Sequence, residues 1–534
     1  MAVPSDVGSR LGRVWRGDLT RRTQWWVTWL LLFGIIALWS VSGPLFSGPD
    51  EPSHVVKAAA VARGQLVGED RQVGFEHDPS VRTGTVVRVP QVFADGHRMP
   101  SCYAFRPEIT AGCAGAFGGS AAEAEVPTFA GHYQPAYYAV VGLPSLVFTS
   151  ASGVFLMRLA GAAVCAALLA SAFASASSSR RPTELVLGTA LAMTPMVVYI
   201  ASVVNPSALE ISAALCVWVS TLVLMAGLDE GGSRRLVVRI GVSGALLALS
   251  RGLSPLWLLV IALVALTVAR RETLADLARR RDVRLCAVAL VAAAAVASAW
   301  LVLAGTLQTR EPPRDATTSV AAAVRASLGD TDTDLREMIG WYGWLDVDGP
   351  ALTRHIWLGA VGAAVLGAFT AAGRRYVVAL ALLLTSVVVL PVVVEAIQVG
   401  TLGLFWQGRY TLPLAVGVPP LAALAIADRV RARPEVLSRL ATVLLGALAL
   451  GQVLAYAIAT RRYSVGALGP VMYVLGDDAW QPPVPTWALL AALVVAVGLL
   501  ALWLHRLATQ SATTVDIAST PPATDPTSAG LARP

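Results

Sequence analysis

The chain has 534 residues, 55% of them hydrophobic and only 14% charged, with a net charge of +7 and a mean hydropathy of +0.63. Soluble globular proteins carry about 25% charged residues, so the balance excludes that class and points to an all-α polytopic integral membrane protein. The positive excess is arginine, since Lys57 is the sole lysine, and it lies in short connections between apolar runs. Such a pattern sets orientation in a bilayer; it does not point to a nucleic-acid partner.

Arg10, Arg13, Arg16, Arg21 and Arg22 predict a basic cytoplasmic tail over residues 1–24. Trp25 to Leu45 follows, too long for the apolar core of a cleaved signal peptide and without a small-residue cleavage site, so it reads as an uncleaved anchor. Further runs of spanning character fall near residues 153–176, 184–203, 207–227, 236–250, 254–269, 285–304, 355–372, 376–396, 410–427, 437–458 and 486–504. They predict about 12 transmembrane helices (11–13) within a membrane domain over 25–505. The arginine-rich connections all reach one side only if 135–176 is one crossing, with Tyr137 to Phe148 dipping or lying along the other face. Runs 236–250 and 254–269 are short and bracket Arg251-Gly252, which predicts tilt or partial re-entry. Residues 46–134 and 305–353 become large extracytoplasmic loops. The tail over 506–534, rich in Ser, Thr, Ala and Pro, is expected to be disordered and cytoplasmic.

The first loop opens with Pro49-Asp50-Glu51-Pro52-Ser53-His54. A helix over 52–66 is expected at the membrane surface, with Asp50, His54 and Lys57 on a polar face. Acids at a bilayer boundary are costly enough to mark function. Asp50 or Glu51 could serve as general base on an acceptor hydroxyl, or hold a divalent cation; the plain alternative is that both cap the helix. Cys102 and Cys113 lie in the same loop, where a disulfide is plausible, while Cys165, Cys216 and Cys286 fall in apolar spans.

The loop returns to the membrane through His132-Tyr133-Gln134-Pro135, and Asn205-Pro206-Ser207 begins a span, as ordinary helix-start chemistry or as a site. Trp341, Trp344 and Asp346 end the second loop; aromatic faces with a carboxylate suit a sugar or acceptor, although an interfacial girdle uses the same residues. Gln407-Gly408-Arg409-Tyr410 stands where another span begins. Arg409 and Arg251, with Lys57, His54 and Gln407, form the candidate phosphate set, the alternative being arginine reaching out to headgroups.

In order along the chain, Pro49 to His54, Asn205-Pro206, Gly343-Trp344-Leu345-Asp346 and Gln407 to Tyr410 resemble a bacterial family of predicted membrane proteins with the pattern PDEPxH, S-x-N-P-D, GWLD and QGRY. An apolar helix followed at once by an acidic pair also resembles the GT-C class, membrane glycosyltransferases that use polyprenyl-phosphate-linked sugars. That resemblance implies a GT-C-like fold. It further implies transfer of a sugar from a polyprenyl-phosphate donor to an envelope glycan or lipid acceptor at the outer face of the bacterial cytoplasmic membrane. The chain departs from the pattern at Ser207, where the family has an acid, and at His132 to Pro135, where some relatives carry a lysine. The competing classes are a lipid or saccharide transporter or flippase, and a structural subunit of an envelope-synthesis complex. Only the transferase requires Asp50 and Arg409 within about 10 Å of each other, the scale on which reacting groups are positioned.

Overall fold

The computed structural model describes residues 20–75, 78–229, 233–306, 319–475 and 480–518. In hydrocarbon the backbone has no water to bond, so apolar runs must satisfy themselves as helices. The expected runs do so, as Arg21–Ser42, Ala151–Ser177, Pro182–Ala192 with Pro195–Ala201, Pro206–Met225, Ser233–Ala248, Ser254–Val268, Arg281–Leu303, Ala351–Ala371, Arg374–Leu402, Gly408–Arg429, Pro434–Val465 and Thr486–Ala518. The protein is a polytopic helical membrane protein.

Twelve crossings prove too many by length. Among the described residues nine helices can cross unaided, and a tenth if the Pro182–Ala201 pair, bent by 66°, is one span. Ser233–Ala248 and Ser254–Val268 have 16 and 15 residues. At 1.5 Å per residue they reach about 24 and 23 Å, short of a hydrocarbon core of about 30 Å. They meet at Arg251, the residue the sequence had bracketed. The bend at Met193-Thr194 has a local cause: Pro195 starts a new helix, and the Thr194 hydroxyl caps it by accepting the Val197 amide while donating to the Met338 carbonyl at 2.7 Å.

The loops emerge at one end of the bundle, here called the loop face. The first contains a three-stranded antiparallel sheet of β1 (Glu69–Phe75), β2 (Asp78–Pro90) and β3 (Glu123–Pro127), with Glu69 opposite Val86 and Val86 opposite Pro127. The helix expected over 52–66 runs Glu51–Ala62, and Gly64 at φ 85° turns the chain out of it. It is no surface helix. Every residue from Glu51 to Val61 is buried, because Ala58, Ala59 and Ala60 allow close approach on several sides. Gly142 sits so near that a Cβ there would lie 2.0 Å from the Ala58 carbonyl oxygen. Residues 136–148 form only the short helix Ala136–Val141 and the turn Leu143–Leu146.

Cys102 and Cys113 are disulfide-bonded, with Cα atoms 6.1 Å apart. Their lobe is seated on the Pro434–Val465 helix by Arg462, which donates to the carbonyls of Tyr103 (2.7 Å), Arg106 (2.8 Å) and Ile109 (2.6 Å). The second loop carries the helix Thr331–Gly340 and the small hairpin pairing Trp341–Tyr342 with Val347–Asp348. The final helix continues to Ala518, past the start of the expected disordered tail. Residues 1–19, 307–318 and 519–534, on which parts of the basic tail, second-loop and C-terminal expectations fall, lie outside the described residues.

Candidate active site

Leaving the first span, the chain takes positive φ at two non-glycine residues, Phe46 (64°) and Asp50 (62°). Each such residue costs about 1–2 kcal/mol, so something must hold the turn. Glu51 and Arg158 do. Both side chains are fully buried, and Arg158 grips the carboxylate with two bonds, Nε to Oε1 at 2.7 Å and Nη2 to Oε2 at 2.6 Å. The guanidinium also donates to the carbonyls of Ser40 (2.9 Å), Gly43 (3.1 Å) and Pro44 (2.7 Å), so it fastens the end of the first span. The Glu51 oxygens additionally accept the amides of Gly48 (3.2 Å) and Val204 (3.0 Å). With both oxygens engaged, Glu51 is neither a base nor half of a cation site. The two acids diverge: Glu51 points into the fold and Asp50 away from it.

The Asp50 carboxylate meets Arg409, 359 residues on, in a direct ion pair. Arg409 opens the Gly408–Ala415 helix, and its approach is set by carboxylates from the surrounding elements. Glu337 accepts the Gly408 amide at 2.6 Å, and Glu395 accepts those of Phe405 (3.0 Å) and Trp406 (3.1 Å). Gly408 is needed here, since a Cβ would fall 2.3 Å from the Asp334 carbonyl oxygen. Arg251 closes the other side. Its guanidinium lies 4.5 Å from the Tyr410 ring centroid, that of Arg409 5.1 Å, so both cations flank one ring. Arg251 Nη1 donates to the Ser207 hydroxyl at 2.6 Å, and its backbone amide to Ser254, whose hydroxyl donates to Glu210.

The site is incomplete as it stands. The Arg409 side chain is 2% exposed, yet among the described residues its Nε and Nη1 have no partner, nor has Gln407 Oε1. Buried donors on a cation are costly to leave unmet. Burial pushes the Asp50 carboxyl up, but Arg409, with His54 and Arg251, outweighs this and holds it below the usual carboxylate value. Burial pushes His54 down to about 3 against the pull of Asp50, so its imidazole is neutral at ordinary pH, with Nδ1 2.9 Å from the Tyr138 hydroxyl. The Tyr133 ring centroid lies 6.1 Å from that of His54, and burial lifts its phenol to about 12. One turn past Arg409, Leu412 helps to line an apolar recess of about 490 Å³ with Leu335, Met338, Trp357 and Val416.

Of the residues singled out from sequence, Asp50, His54, Tyr133, Arg251, Gln407 and Arg409 gather here. Others are engaged elsewhere. Lys57 donates to the Leu66 and Gly131 carbonyls, both at 2.7 Å, and ties the ends of the first loop instead of facing a phosphate. His132 has both ring nitrogens engaged, with Asp70 (2.9 Å) and the Ala304 carbonyl. Asn205 caps its helix through Ser207 (2.9 Å) and donates to the Pro49 carbonyl (2.9 Å), so it braces the acid and is not free to bind a ligand. Asp346 accepts the amides of Trp344 (3.0 Å) and Phe105 (2.9 Å) and pairs with Arg462 at 3.8 Å; the Trp344 indole is tied to the Phe46 carbonyl. Trp341 stands opposite Asp348 in its hairpin. The GWLD stretch is a structural junction between both loops. Sequence reading missed Arg158, although a lone arginine in an apolar run requires a partner. It also missed Glu337, and it did not pair Ser207 with Arg251 or Tyr138 with His54, since none of these carries a local signal of its contact.

A family model described as Predicted membrane protein (DUF2142) matches residues 32–418. The chain belongs to the DUF2142 family. The DUF2142 match takes in Asp50, Arg251 and Arg409 together. No protein of curated function matches this DUF2142 sequence. Among solved structures, ArnT from Cupriavidus metallidurans, crystallised bound to undecaprenyl phosphate, is similar at 14% identity and a TM-score of 0.41, over 92% of this chain and 79% of that one.

Proposed function

We propose that the protein is a membrane glycosyltransferase that takes a sugar from a polyprenyl-phosphate donor and passes it to a cell-envelope acceptor at the outer face of the cytoplasmic membrane. One observation carries this reading: a buried arginine with two unmet donors among the described residues, paired to a partly exposed acid and backed by a second arginine across one tyrosine ring. The motif resemblance to GT-C enzymes supports it, and the apolar recess one turn below Arg409 suits an isoprenoid tail.

The chemistry follows from the charges. A donor phosphate takes up the free Nε and Nη1 of Arg409, with Arg251 adding a second cation. Its negative charge weakens the hold of Arg409 on Asp50 and raises that carboxylate's proton affinity. Asp50 then accepts the proton of the acceptor hydroxyl as the hydroxyl oxygen bonds to the anomeric carbon. The bond from that carbon to the phosphate oxygen breaks, and the guanidinium pair stabilises the departing polyprenyl phosphate. Asp50 is a weak base until the donor is bound, which protects an unloaded site from idle proton chemistry. Neutral His54 and Tyr133 line the pocket without adding charge.

Binding of a short-chain polyprenyl phosphate to the purified protein tests this. A hydrogen bond to a charged group contributes about 1.5–3 kcal/mol, so Arg409→Gln is expected to weaken binding roughly 10- to 100-fold while Asp50→Asn does not weaken it. Equal affinity of Arg409→Gln and wild type would remove the phosphate assignment.

A further inference from the structure

A second apolar recess, of about 540 Å³, lies on the opposite side of the bend at Met193-Thr194 from the one below Arg409. Its walls come from the middle of the first span (Leu32, Ile36), from Val198 past the bend, and from the facing helices Pro434–Val465 (Leu448) and Thr486–Ala518 (Leu504). The one polar side chain in its lining is Gln452, whose amide nitrogen donates to the Met193 carbonyl at 2.9 Å, a carbonyl freed by the break in the helix. The two recesses share no lining residue. Leu191, Ala192 and Thr194 face one, and Ala190, Met193 and Val198 the other.

Depth decides what fills the second recess. Leu32 and Ile36 stand midway along Arg21–Ser42. At that level of a bilayer the surrounding medium is hydrocarbon, and an apolar wall offers water too few partners to enter. Beyond the bend, Pro195–Ala201 is only 7 residues long, and Asn205 just past it holds Pro49 beside Asp50. Chains lying on either side of this segment would therefore bring their headgroups towards one site.

We propose that the second recess holds the hydrocarbon chain of a lipid-anchored acceptor, so that donor and acceptor tails lie on opposite sides of one helix bend. This rests on the transferase reading and names its acceptor class: a membrane lipid bearing the hydroxyl that attacks, not a soluble glycan. Selection of the acceptor then depends on its chain as well as its headgroup.

The full chain in lipid nanodiscs, photolabelled with a phosphatidylglycerol carrying a chain-terminal diazirine, tests the occupant. Label is expected on peptides containing 445–452 and 497–504. Ala449→Trp, or Ala501→Phe from the facing helix, should reduce it about tenfold while leaving polyprenyl phosphate binding intact. The same two variants in a strain lacking the native gene test the role: lipid-linked donor should accumulate as it does for Asp50→Asn. Absence of label, or label with no donor accumulation, overturns the proposal, the latter leaving a structural lipid in its place. Accumulation in Asp50→Asn but in neither cavity-filling variant defeats the acceptor inference alone. No accumulation even in Asp50→Asn defeats the transferase reading and this one with it.

Discussion

Removing Arg158 tests how the acid at position 50 is held. Arg158 and Glu51 are fully buried and bonded twice to each other, and the same guanidinium serves three carbonyls at the end of the first span. Arg158→Ala leaves the Glu51 charge with only the Gly48 and Val204 amides. Breaking one side of a buried pair costs about 3–5 kcal/mol, against a total stability of about 5–15 kcal/mol. Thermal unfolding of the solubilised protein should show a large drop in midpoint and a poor folded yield. The pair itself stabilises little relative to apolar residues, because desolvation offsets the attraction. The double variant Glu51→Met with Arg158→Met should therefore recover much of the loss. Asp50→Asn leaves the buried Arg409 without its counter-charge, but the Asn amide oxygen can still accept from Nη2 and the site is partly open at Asp50, so the midpoint should fall less than in Arg158→Ala. If Arg158→Ala melts with wild type, or if the double variant is no better than the single, the clamp reasoning is wrong.

Two other outcomes follow from the same geometry. Ser207→Asp places a carboxylate where a hydroxyl now meets Arg251 at 2.6 Å; it should neutralise that cation and weaken polyprenyl phosphate binding, measured by titration, whereas Ser207→Ala should not. His54 has its pKa pushed down to about 3 by burial, from an unfolded value of 6.5. The unfolded chain thus binds the extra proton between these values, so the stability from His54 is complete above about 6.5 and lost as pH falls towards 3. Melting curves across that window should flatten in His54→Phe, and an unchanged slope would contradict burial of a neutral imidazole.

The fold was legible because hydrocarbon permits few alternatives. Runs such as Ala151–Ser177 must be helices, and their positions could be read to within a few residues. The shortness of Ser233–Ala248 and Ser254–Val268 was legible as well, although the count of crossings still included both. In the first-loop sheet the pairing of β2 with β3 could not be read, since it joins residues about 40 apart, such as Val86 and Pro127. In the site, Asp50, Arg409 and Arg251 could be named because charged groups at span ends are rare enough to carry meaning. Roles within motifs could not. Glu51 is adjacent to Asp50 yet turns inward to Arg158, and Asp346 spends both oxygens on the loops, because neighbouring residues point in different directions once the backbone turns. Polar residues that build a junction use the same chemistry as those that bind a substrate, so only their partners tell them apart.

The most direct measurement is the profile of lipid-linked sugars in a strain lacking the native gene, complemented with wild type or with Asp50→Asn. The account predicts that one polyprenyl-phosphate sugar accumulates in the deletion and in the Asp50→Asn strain, and falls to its normal level with wild type. An identical profile in all three strains, with the protein present and folded, would contradict it.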